Sequence, residues 1–598
     1  MSSAKVTLKE IDLSTRAPRF EGVSAGIVLP ARKGPVDQPV LITSEEDFID
    51  TFGEPDLKLG VAHYSALAFL AQSSSLFVVR VHNGAKYAGL ALGSVKSDDA
   101  LTAVKAGLDS NKTYNFDTDA KSAGVLVSAS PYKDANKISV SVKPSPDYKG
   151  AVILDVYEDQ PDGSFLKVES HEITRKNFTT QKGNQTKIDL VLPLSKYIRF
   201  VDNPLNLTDT QEPEDFFVNK LYDFHLAKEP YTLKGEEKLQ KAAAKGTAHG
   251  TIVFDDGVYW EYLGEEKTYG HTITPADFTK ADTAKDWKAI KLNPARAYLS
   301  GGSDGDAIQT SHILKGWDKL SNPEEFQITC LLDGGFTDHA IHTQMAAIAK
   351  KRIHSFAYLS SDPRAEVNPT SRSIAVVNYR KEGLINSSYA ALYSPHVKIY
   401  DKYNKTYVYA APDGFAAGAQ AYTARNNEMW VPAAGWDNGV LAVNGLQAVY
   451  TEGERDLLYQ NGINPLRQAA SKGIAIWGNK TLQAKPSALD RVNVRMLLIV
   501  IEPSAMEFLE AFEFKLNDTL TRLLVHDGLE AMMKNIKARG GVYDFKVVCD
   551  TTNNTPEVID NNELYADLYV KPTKAAEFIT FRTVITTTGA NFNAVSLS

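Results

Sequence analysis

Residues 301–305 read Gly-Gly-Ser-Asp-Gly and match the G-x-S-x-G pattern, which in hydrolases holds a nucleophilic serine on a sharp turn between a strand and a helix. In that interpretation Ser303 attacks the substrate after a histidine, oriented by an acid, has taken its proton. Partners in the chain order of such hydrolases are Asp333 or Asp362 as the acid and His396 as the base. A serine hydrolase using Ser303 is therefore the enzymatic alternative for this chain.

The same five residues also describe a purely structural turn. Glycine adopts positive φ without steric cost, and Asp306 is placed to cap a helix that begins directly after the motif. We interpret the motif as a glycine-rich turn and keep catalysis as the alternative.

His339 and His342 stand three positions apart at the start of a predicted helix, so their side chains share one face, as two metal ligands would. A zinc site needs a third ligand, and the H-E-x-x-H arrangement with its glutamate base is absent. We interpret both residues as structural histidines.

Gly473 and Gly478, followed by Lys480 and Thr481, imitate a phosphate-binding loop. In that loop the second glycine directly precedes the lysine, so that the lysine reaches the phosphates. Here Asn479 separates the two, and the spacing is broken. We expect no nucleotide at this site and, across the chain, no catalytic residue, no metal and no cofactor.

The composition is that of an ordinary globular protein long enough for several domains. Of its 598 residues, 43% are hydrophobic and 23% are charged, which gives no case for global disorder. The net charge of -8 and the isoelectric point near 5.9 oppose a nucleic-acid-binding role, because the phosphate backbone requires a basic face. We expect no direct contact with nucleic acid.

The cysteine count excludes a disulfide framework and favours assembly in the cytosol. Cys330 and Cys549 both lie in apolar, strand-like runs, where a free thiol behaves as a small buried hydrophobe. The N-terminus lacks an apolar signal core, and the longest aliphatic run, 496–501, is far shorter than a membrane span. We expect neither export nor membrane insertion.

The elements that would position Ser303 alternate between strand and helix, which predicts a parallel α/β layer. In chain order they are strand 297–300, helix 307–320, strand 326–333, helix 338–352 and strand 355–359.

An earlier block, 22–81, has a similar strand and helix order. Ser44, with Asp47 three residues on, forms a capping-box-like start for a short helix that ends at Gly53. A second helix near 62–72 leads into a strand at 76–81.

Between these two blocks the pattern changes to short alternating strands, typical of a β-sandwich or small barrel. The predicted strands are 125–130, 137–142, 151–157, 164–173 and 187–192. This segment is interpreted as an inserted outer domain, and a surface-binding module for glycans or proteins is a third hypothesis for it. Residues 206–290 are mixed, with a helix near 235–245 and an aromatic strand at 257–263.

The C-terminal region alternates apolar and charged stretches. The run from Val492 to Leu498 predicts a buried strand, and Ser504 with Glu507 predicts a second capping box. A helical apolar stripe then follows, at Leu516, Leu520, Leu523, Leu529, Met532 and Ile536. The other face of that helix carries Arg522, Lys534, Lys537 and Arg539. In isolation such charges usually form a solvated face.

The stretch 461–482 reads NGINPLRQAASKGIAIWGNKTL. In it, Gly473 precedes a short apolar run, 474–477, which predicts a strand that ends at Gly478. It resembles the Asn-Pro-Leu-Arg and Trp-Gly-x-Lys-Thr blocks of contractile tail sheath proteins of bacteriophages. Further blocks with the same resemblance are 387–401, 411–423, 431–441, 491–504 and the run from Cys549 to Arg582. Departures from the family are Lys480, where arginine is commoner, His396 for tryptophan, and Asp413 for serine.

The resemblance implies a structural protein. In related proteins the long C-terminal helix faces the inner tail tube, so it implies tube contacts at Arg522, Lys534, Lys537 and Arg539. It also implies that terminal arms add strands to the sheets of neighbouring subunits. The residues of those arms would be Val6, Leu8, Ile11 and Leu13 near the N-terminus and Ile579, Phe581 and Ile585 near the C-terminus.

The partners implied are further copies in a helical sheath of stacked rings, the tail tube protein, and the baseplate and tail terminator proteins. The sheath would be part of the virion, assembled in the host cytoplasm. Its contraction would drive the tube through the host cell envelope.

The fold class expected is a multi-domain α/β (α+β) chain, with a sheath core, β-rich outer insertions and a C-terminal assembly domain. The predicted segments are an N-terminal arm at 1–20, core at 21–95, an insertion at 96–205, a second insertion at 206–290, core at 291–375, the assembly domain at 376–585 and a C-terminal arm at 586–598.

Overall fold

The computed structural model describes residues 22–92, 101–103, 107–109, 124–144, 152–174, 186–202, 296–367 and 371–577, with short stretches between 231 and 290. The predicted arms, including Val6, Leu8, Ile11, Leu13, Ile579, Phe581 and Ile585, and the helix predicted at 235–245 lie outside the described residues.

The strands are numbered in chain order. Those of the first half are β1 Ala25–Leu29, β2 Pro39–Ile42, β3 Leu76–Arg80, β4 Gly89–Leu92, β5 Leu101–Ala103, β6 Gly124–Ser128, β7 Ile138–Pro144, β8 Val152–Asp159, β9 Phe165–Ile173, β10 Ile198–Asp202, β11 Tyr231–Thr232, β12 Ile252–Asp255, β13 Val258–Tyr262, β14 Trp287–Ile290 and β15 Ala297–Tyr298. Those of the second half are β16 Cys330–Leu332, β17 Phe356–Ser360, β18 Ala390–Ser394, β19 Val397–Asp401, β20 Thr406–Ala410, β21 Val440–Leu441, β22 Gly445–Leu446, β23 Ile463–Ala469, β24 Gly473–Ile476, β25 Val542–Val548 and β26 Asp567–Pro572.

The described helices are numbered in the same way. They are α1 Glu45–Phe52, α2 Ala62–Leu70, α3 Ile188–Val191, α4 Ala276–Thr279, α5 Thr310–Asp318, α6 His339–Arg352, α7 Pro363–Glu366, α8 Arg372–Glu382, α9 Asp413–Asn426, α10 Gly435–Asn438, α11 Glu452–Gln460, α12 Val492–Glu510, α13 Thr519–Ala538 and α14 Pro556–Asp560. Short 3₁₀ turns occur at Leu57–Leu59, Lys133–Lys137, Leu192–Leu194, Ala284–Asp286 and Ala488–Asp490.

The centre of the fold is a nine-stranded sheet in the order β2-β3-β1-β16-β17-β18-β23-β24-β21. Its inner strands, from β3 to β23, pair in parallel, whereas β2, β24 and β21 are antiparallel additions at the two edges. The parallel part joins strands from both sequence blocks that predicted strand and helix alternation. The mixed α/β class predicted from the sequence is confirmed.

Both faces of this sheet are buried, as the short apolar strands require. Ile27 and Leu29 of β1 point into one core with α1, α2 and α9, while Val28 points into the other with α5, α6, α8 and α11. Successive side chains of a strand face opposite sides, so one apolar strand supplies both cores.

Two four-stranded sheets, β10-β6-β4-β5 and β15-β7-β8-β9, contribute residues to a further shared core. Strands are present at four of the five predicted places between 125 and 192. The strand predicted at 187–192 is wrong, because Ile188–Val191 forms a helical turn that continues into a 3₁₀ turn. A third four-stranded sheet, β11-β12-β13-β14, contains the aromatic strand predicted at 257–263.

The C-terminal region departs from the sequence prediction at one long element. Val492 to Leu498 was expected as a strand but begins α12, a helix of 19 residues. Ser504 does not cap a helix, since it lies within α12 and its hydroxyl donates to the Val500 carbonyl at 2.7 Å. A continuous apolar run does not distinguish a buried strand from a buried helix, and here length decides for the helix.

Across the part of the chain that the structure describes, no helix has both the length and the apolar character needed to span a membrane.

Candidate functional site

The glycine-rich motif at 301–305 joins the central sheet to the β-rich sheets. Ser303 exchanges two backbone hydrogen bonds with Lys86, at 2.9 and 3.1 Å. Gly302 donates to the Asn136 side chain at 2.8 Å and accepts from it at 2.9 Å. Asp304 accepts from the Lys133 backbone at 2.8 Å. These bonds make the motif a structural junction, as the turn interpretation expected.

Helix α5 begins at Thr310, beyond the motif, so the expectation that Asp306 caps the next helix is wrong. The cap is Gln309, which forms a reciprocal capping box with His312. Asp306 instead donates its backbone N–H to the Asn83 carbonyl at 2.8 Å.

The residues considered as triad partners of Ser303 are bonded elsewhere. Asp333 accepts a hydrogen bond from buried His342 at 2.9 Å, and His396 pairs with buried Glu366 at 2.9 Å. Asp362 caps α7 and accepts from the Arg364 guanidinium. The tertiary structure therefore does not assemble the nucleophile, base and acid that the hydrolase hypothesis requires.

Beside these pairs lies a third buried carboxyl group, Asp413, at the first position of α9. It accepts hydrogen bonds from the Ser65 hydroxyl at 2.6 Å and from the Gly334 backbone at 2.7 Å. Burial, reinforced by the negative charge of Asp333, raises the pKa of Asp413 to about 8. For Asp333, burial is the largest single influence and raises the pKa, but the hydrogen bond and charge of His342, together with the backbone N–H groups of Gly335 and Ser360, outweigh it and lower the pKa. The network is enclosed and polar, and no pattern in the sequence indicated it.

His339 and His342 do not combine as metal ligands. His342 is held by Asp333, whereas the His339 ring packs on Tyr379 with centroids 4.6 Å apart. The described groups that do come together as possible ligands are His526, Asp527 and Glu530, and they lie outside the buried interior.

The 461–482 stretch forms the β23–β24 hairpin at the edge of the central sheet. Asn464 and Pro465 are part of β23, which is consistent with the extended backbone that proline imposes on the preceding residue. The Asn464 amide accepts from the Lys480 N–H at 2.7 Å and donates to the Lys480 carbonyl at 2.8 Å. The hairpin is thereby fixed to the segment that follows it.

The charged side chains around this hairpin have partners within the chain. Arg467 lies over Trp477, 4.3 Å from the ring centroid, and Trp477 packs on Trp436 at 5.1 Å. The Lys480 ammonium lies 3.3 Å from the Asp490 carboxylate. The lysine of the sequence that resembles a phosphate-binding loop therefore forms an ion pair within the chain.

The four cations predicted on the long helix α13 do not share one surface. Lys534, Lys537 and Arg539 are exposed, but Arg522 is buried, so the exposed position expected for it is wrong. Arg522 donates to the Asn517 side chain at 2.7 Å and to the Asn517 carbonyl at 3.2 Å. Its role in this chain is to hold the loop that precedes the helix.

The three exposed cations are paired within the chain. Lys534 lies 3.2 Å from Glu530, Lys537 lies 2.9 Å from Asp544, and Arg539 donates to Glu428 at 2.7 Å. These pairs reduce the charge that the surface offers to a partner.

The predicted apolar stripe on the same helix is only partly buried. Leu529 and Ile536 are in the core, but Leu516, Leu520 and Leu523 are exposed. Helix α13 starts at Thr519, and its inward face begins with Thr521, Arg522 and Val525. At the start of α13, the buried face is therefore not the face that carries the leucines of the predicted stripe.

A two-stranded antiparallel sheet, β25 with β26, packs beside α13. Among the described residues each of these strands has one partner, so each has a second edge whose backbone groups are not paired in a sheet. The chain after β26 then runs to Glu577, whose carboxylate accepts from Arg491 at 2.6 and 3.0 Å and from the Tyr459 hydroxyl at 2.8 Å. Glu577 thus fixes the point from which the C-terminal segment continues.

Two parts of the chain match domains of one known family. Residues 306–482 match the phage tail sheath protein central domain, and residues 484–586 match the phage tail sheath C-terminal domain.

Similar whole proteins carry the same description. The tail sheath protein of Vibrio phage KVP40 is 27% identical, with 98% of each chain covered. The tail sheath protein of Enterobacteria phage T4 is 32% identical over 50% of this chain and 48% of its own length. The crystal structure of a sheath tail protein from Desulfitobacterium hafniense covers 96% of this chain and 100% of its own at a TM-score of 0.50, with 12% identity, which is a likeness of fold.

Proposed function

This chain belongs to the phage tail sheath family, and we propose from that premise that its copies polymerise helically around a tail tube and contract to drive the tube through a host cell envelope. The observation that carries the proposal is the similarity to a tail sheath protein over 98% of both chains. The chain is a structural component of a virion tail.

The relatives are tail sheath proteins and give no support to the serine hydrolase alternative. The backbone of Ser303 is hydrogen-bonded to that of Lys86 in the junction between the sheets. We propose that the chain catalyses no reaction. A fluorophosphonate that labels activated serines tests this directly, and we expect no labelling of Ser303.

The open edges of β25 and β26 support a strand-addition contact between subunits. We propose that the N-terminal arm, through Val6, Leu8, Ile11 and Leu13, and the C-terminal arm, through Ile579, Phe581 and Ile585, pair with these edges on neighbouring copies. Backbone hydrogen bonds would give the affinity and alternate side chains the register. Such head-to-tail contacts do not close on themselves and so generate a helical tube.

The other proposed partners are the tail tube, the baseplate and the tail terminator proteins, with assembly in the host cytoplasm. We propose that α13 faces the tube and that Lys534, Lys537 and Arg539 contribute to that contact. Arg522 is removed from the proposed contact, because its side chain is buried.

The domain organisation stays a proposal with the boundaries given above. In this proposal the lattice is formed by two core segments, 21–95 and 291–375, and by the assembly domain, 376–585. The insertions, 96–205 and 206–290, lie on the outside of that lattice. Contraction would then release free energy stored in the contacts between copies, as one cooperative rearrangement of subunits.

Negative-stain electron microscopy of the purified, concentrated chain tests the proposed function. We expect hollow, striated tubes, formed without any other protein. If the chain stays as small particles alone and also fails to coat preformed tail tubes, the proposal is refuted.

A further inference from the structure

The β23–β24 hairpin forms one wall of a cavity of about 560 Å³. The cavity, here called the hairpin cavity, lies between this hairpin, helices α10 and α11, and the segment 575–577. Its aliphatic and aromatic walls are formed by Val431, Pro432, Ala434, Tyr459, Pro465 and Trp477. A concave site of this size that combines apolar walls with a few polar groups is the usual form of a binding site.

The wall formed by Trp477 is held in place by its neighbours. The Trp477 ring packs on Trp436 with centroids 5.1 Å apart, and the Arg467 guanidinium lies 4.3 Å from the centroid of the Trp477 ring. The Trp477 backbone N–H donates to the Pro465 carbonyl at 2.8 Å. The cavity is thus pre-organised, which lowers the entropy lost when a side chain docks in it.

The opposite wall is the chain itself at the end of the described residues. Glu577 lines the cavity and is fixed there, because its carboxylate accepts from Arg491 and from the Tyr459 hydroxyl. Consecutive Cα atoms are about 3.8 Å apart, so Phe578 begins within about 3.8 Å of a residue of the wall. A segment tethered in this way has an effective concentration at the cavity that a separate molecule does not reach.

The composition of that segment suits an apolar cavity. Residues 578–598 begin with a phenylalanine and carry one charged side chain, Arg582. In an extended segment Phe578 and Arg582 share one face, because side chains alternate, and Ile579 and Phe581 lie on the other. Insertion of Phe578 would therefore leave the second face available to a neighbouring copy.

The charges at the rim agree with this orientation. Glu452 and Asp456 stand four positions apart on α11, both line the cavity, and both are exposed. Two carboxylates beside an apolar cavity complement a segment that combines an aromatic side chain with one arginine, Arg582.

A second cavity, of about 510 Å³, is also lined by the segment 574–577. Among the described residues that line it there is no aromatic side chain, and they include Asp490 and Arg491, which form an ion pair at 2.7 Å. An aromatic ring removes more apolar surface from water against Trp477 and Pro465 than against these charged groups. The hairpin cavity is therefore the better site for a phenylalanine.

We propose that Phe578 inserts into the hairpin cavity of its own chain, against Trp477 and Pro465, and that the cavity is the docking site of the C-terminal segment. The part of the C-terminal arm that reaches a neighbour then begins at Ile579. This docking goes beyond the proposed function and is independent of it, because it is contained within one chain. It gives the 461–482 stretch a task within the subunit.

Cross-linking of the full-length monomer with a short bis-maleimide tests the position of Phe578. Ala434 lines the cavity, and the two cysteines of the chain, Cys330 and Cys549, are buried. We expect Ala434→Cys with Phe578→Cys to be joined within one chain, as mass spectrometry of the digested protein would show. Ala434→Cys with Phe581→Cys is the matched control. Three residues of extended chain displace the second thiol by about 10 Å, so we expect much less cross-linking there.

Tryptic cleavage after Lys574, which is exposed and four residues before Phe578, is the second measurement. We expect Phe578→Ser to accelerate this cleavage by about tenfold or more, the effect of losing one buried phenylalanine on a local opening equilibrium. Phe578→Leu should keep most of the protection, because it keeps an apolar side chain. Phe581→Ser is the control and should be cleaved at the wild-type rate. Circular dichroism should be unchanged in all three variants.

Each measurement can overturn the docking of Phe578. Cross-linking at position 581 as strong as at position 578 would show that the segment is not docked. A cross-link in a mixture of single-cysteine chains, one with Ala434→Cys and the other with Phe578→Cys, would show that the segment of another copy fills the cavity. A wild-type cleavage rate for Phe578→Ser would also overturn the proposal. Because both measurements use the monomer, failure of the chain to form tubes would refute the proposed function and leave this docking to be judged separately.

Discussion

Asp413 shows how a residue that departs from the family pattern is accommodated. Its carboxyl group is enclosed between α2, the Gly334 turn and α9, where Ser65 and Gly334 donate to it and Asp333 lies close enough to oppose a second negative charge. A protonated acid at this position behaves as a neutral hydrogen-bonding group. The stability of the subunit should therefore fall as pH rises from the unfolded pKa of 3.8 to the folded pKa of about 8.

We predict that Asp413→Asn stabilises the chain at pH 8 relative to pH 5. The folded pKa, about 8, lies above the value of 3.8 expected in the unfolded chain, so the contribution of Asp413 is fully present below pH 3.8 and is lost as pH rises toward 8. Asparagine does not titrate, so the difference from wild type should grow by on the order of 1 kcal/mol per pH unit across that window. Thermal unfolding at several pH values measures it. Parallel behaviour of the exposed control Asp527→Asn would contradict the assignment.

Gly305 illustrates a residue whose identity is set by backbone geometry. Its φ is +77°, and a Cβ would lie 2.1 Å from the Asn83 carbonyl. We predict that Gly305→Ala lowers the stability of the junction by about 1–3 kcal/mol, since strain and a backbone clash act together. Limited proteolysis should then release the β-rich part faster than in wild type. Gly453→Ala, in the first turn of α11 with nothing within 4 Å of the added Cβ, is the control and should not lower stability.

At the scale of elements, the β25–β26 sheet and the segment after it form one unit with α12. Glu577 connects that segment to Arg491, at the start of α12, and to Tyr459 of α11. Both Glu577 and Arg491 are more than half-buried, so the pair is held more firmly than a surface ion pair. These bonds hold Glu577, at the end of the described residues, against α11 and the start of α12.

We predict that Glu577→Gln reduces tube formation several-fold while the subunit stays folded. Glutamine keeps the size of the side chain but loses the charge that Arg491 meets, at a cost of about 1–3 kcal/mol for a charge-assisted bond. Sedimentation of assembled tubes and thermal unfolding of the monomer separate the two effects. The exposed Glu557→Gln is the control. Equal tube yields from both variants would show that the anchor has no part in assembly.

At the scale of the whole molecule, the folded body and the arms have separate tasks in this proposal. The central sheet is buried on both faces, and each face is covered by side chains of the described residues between 22 and 577. Monomer stability should therefore depend on the body and polymerisation on the arms.

We predict that deletion of residues 1–20 leaves a folded monomer that forms no tubes. The described members of both cores of the central sheet lie beyond this segment, whereas the open sheet edges of each neighbour would lose their proposed strand. Circular dichroism and thermal unfolding should match wild type, and negative stain should show only small particles. Normal tubes from the truncated chain would refute the arm proposal.

The sequence by itself determined the alternating strands and helices, the capped start of α1 at Ser44, the buried thiols and the family. Each of these depends on local propensity or on an ordered series of motifs that adjacent residues carry. Only the tertiary structure decided that 492–498 is helical, that Arg522 is buried while Leu516 and Leu520 are exposed, and that Ser303 lies in a junction. Those outcomes depend on which face of a helix or strand packs against an element distant in the chain. A periodic pattern shows which residues share a face, but it does not show what packs against that face.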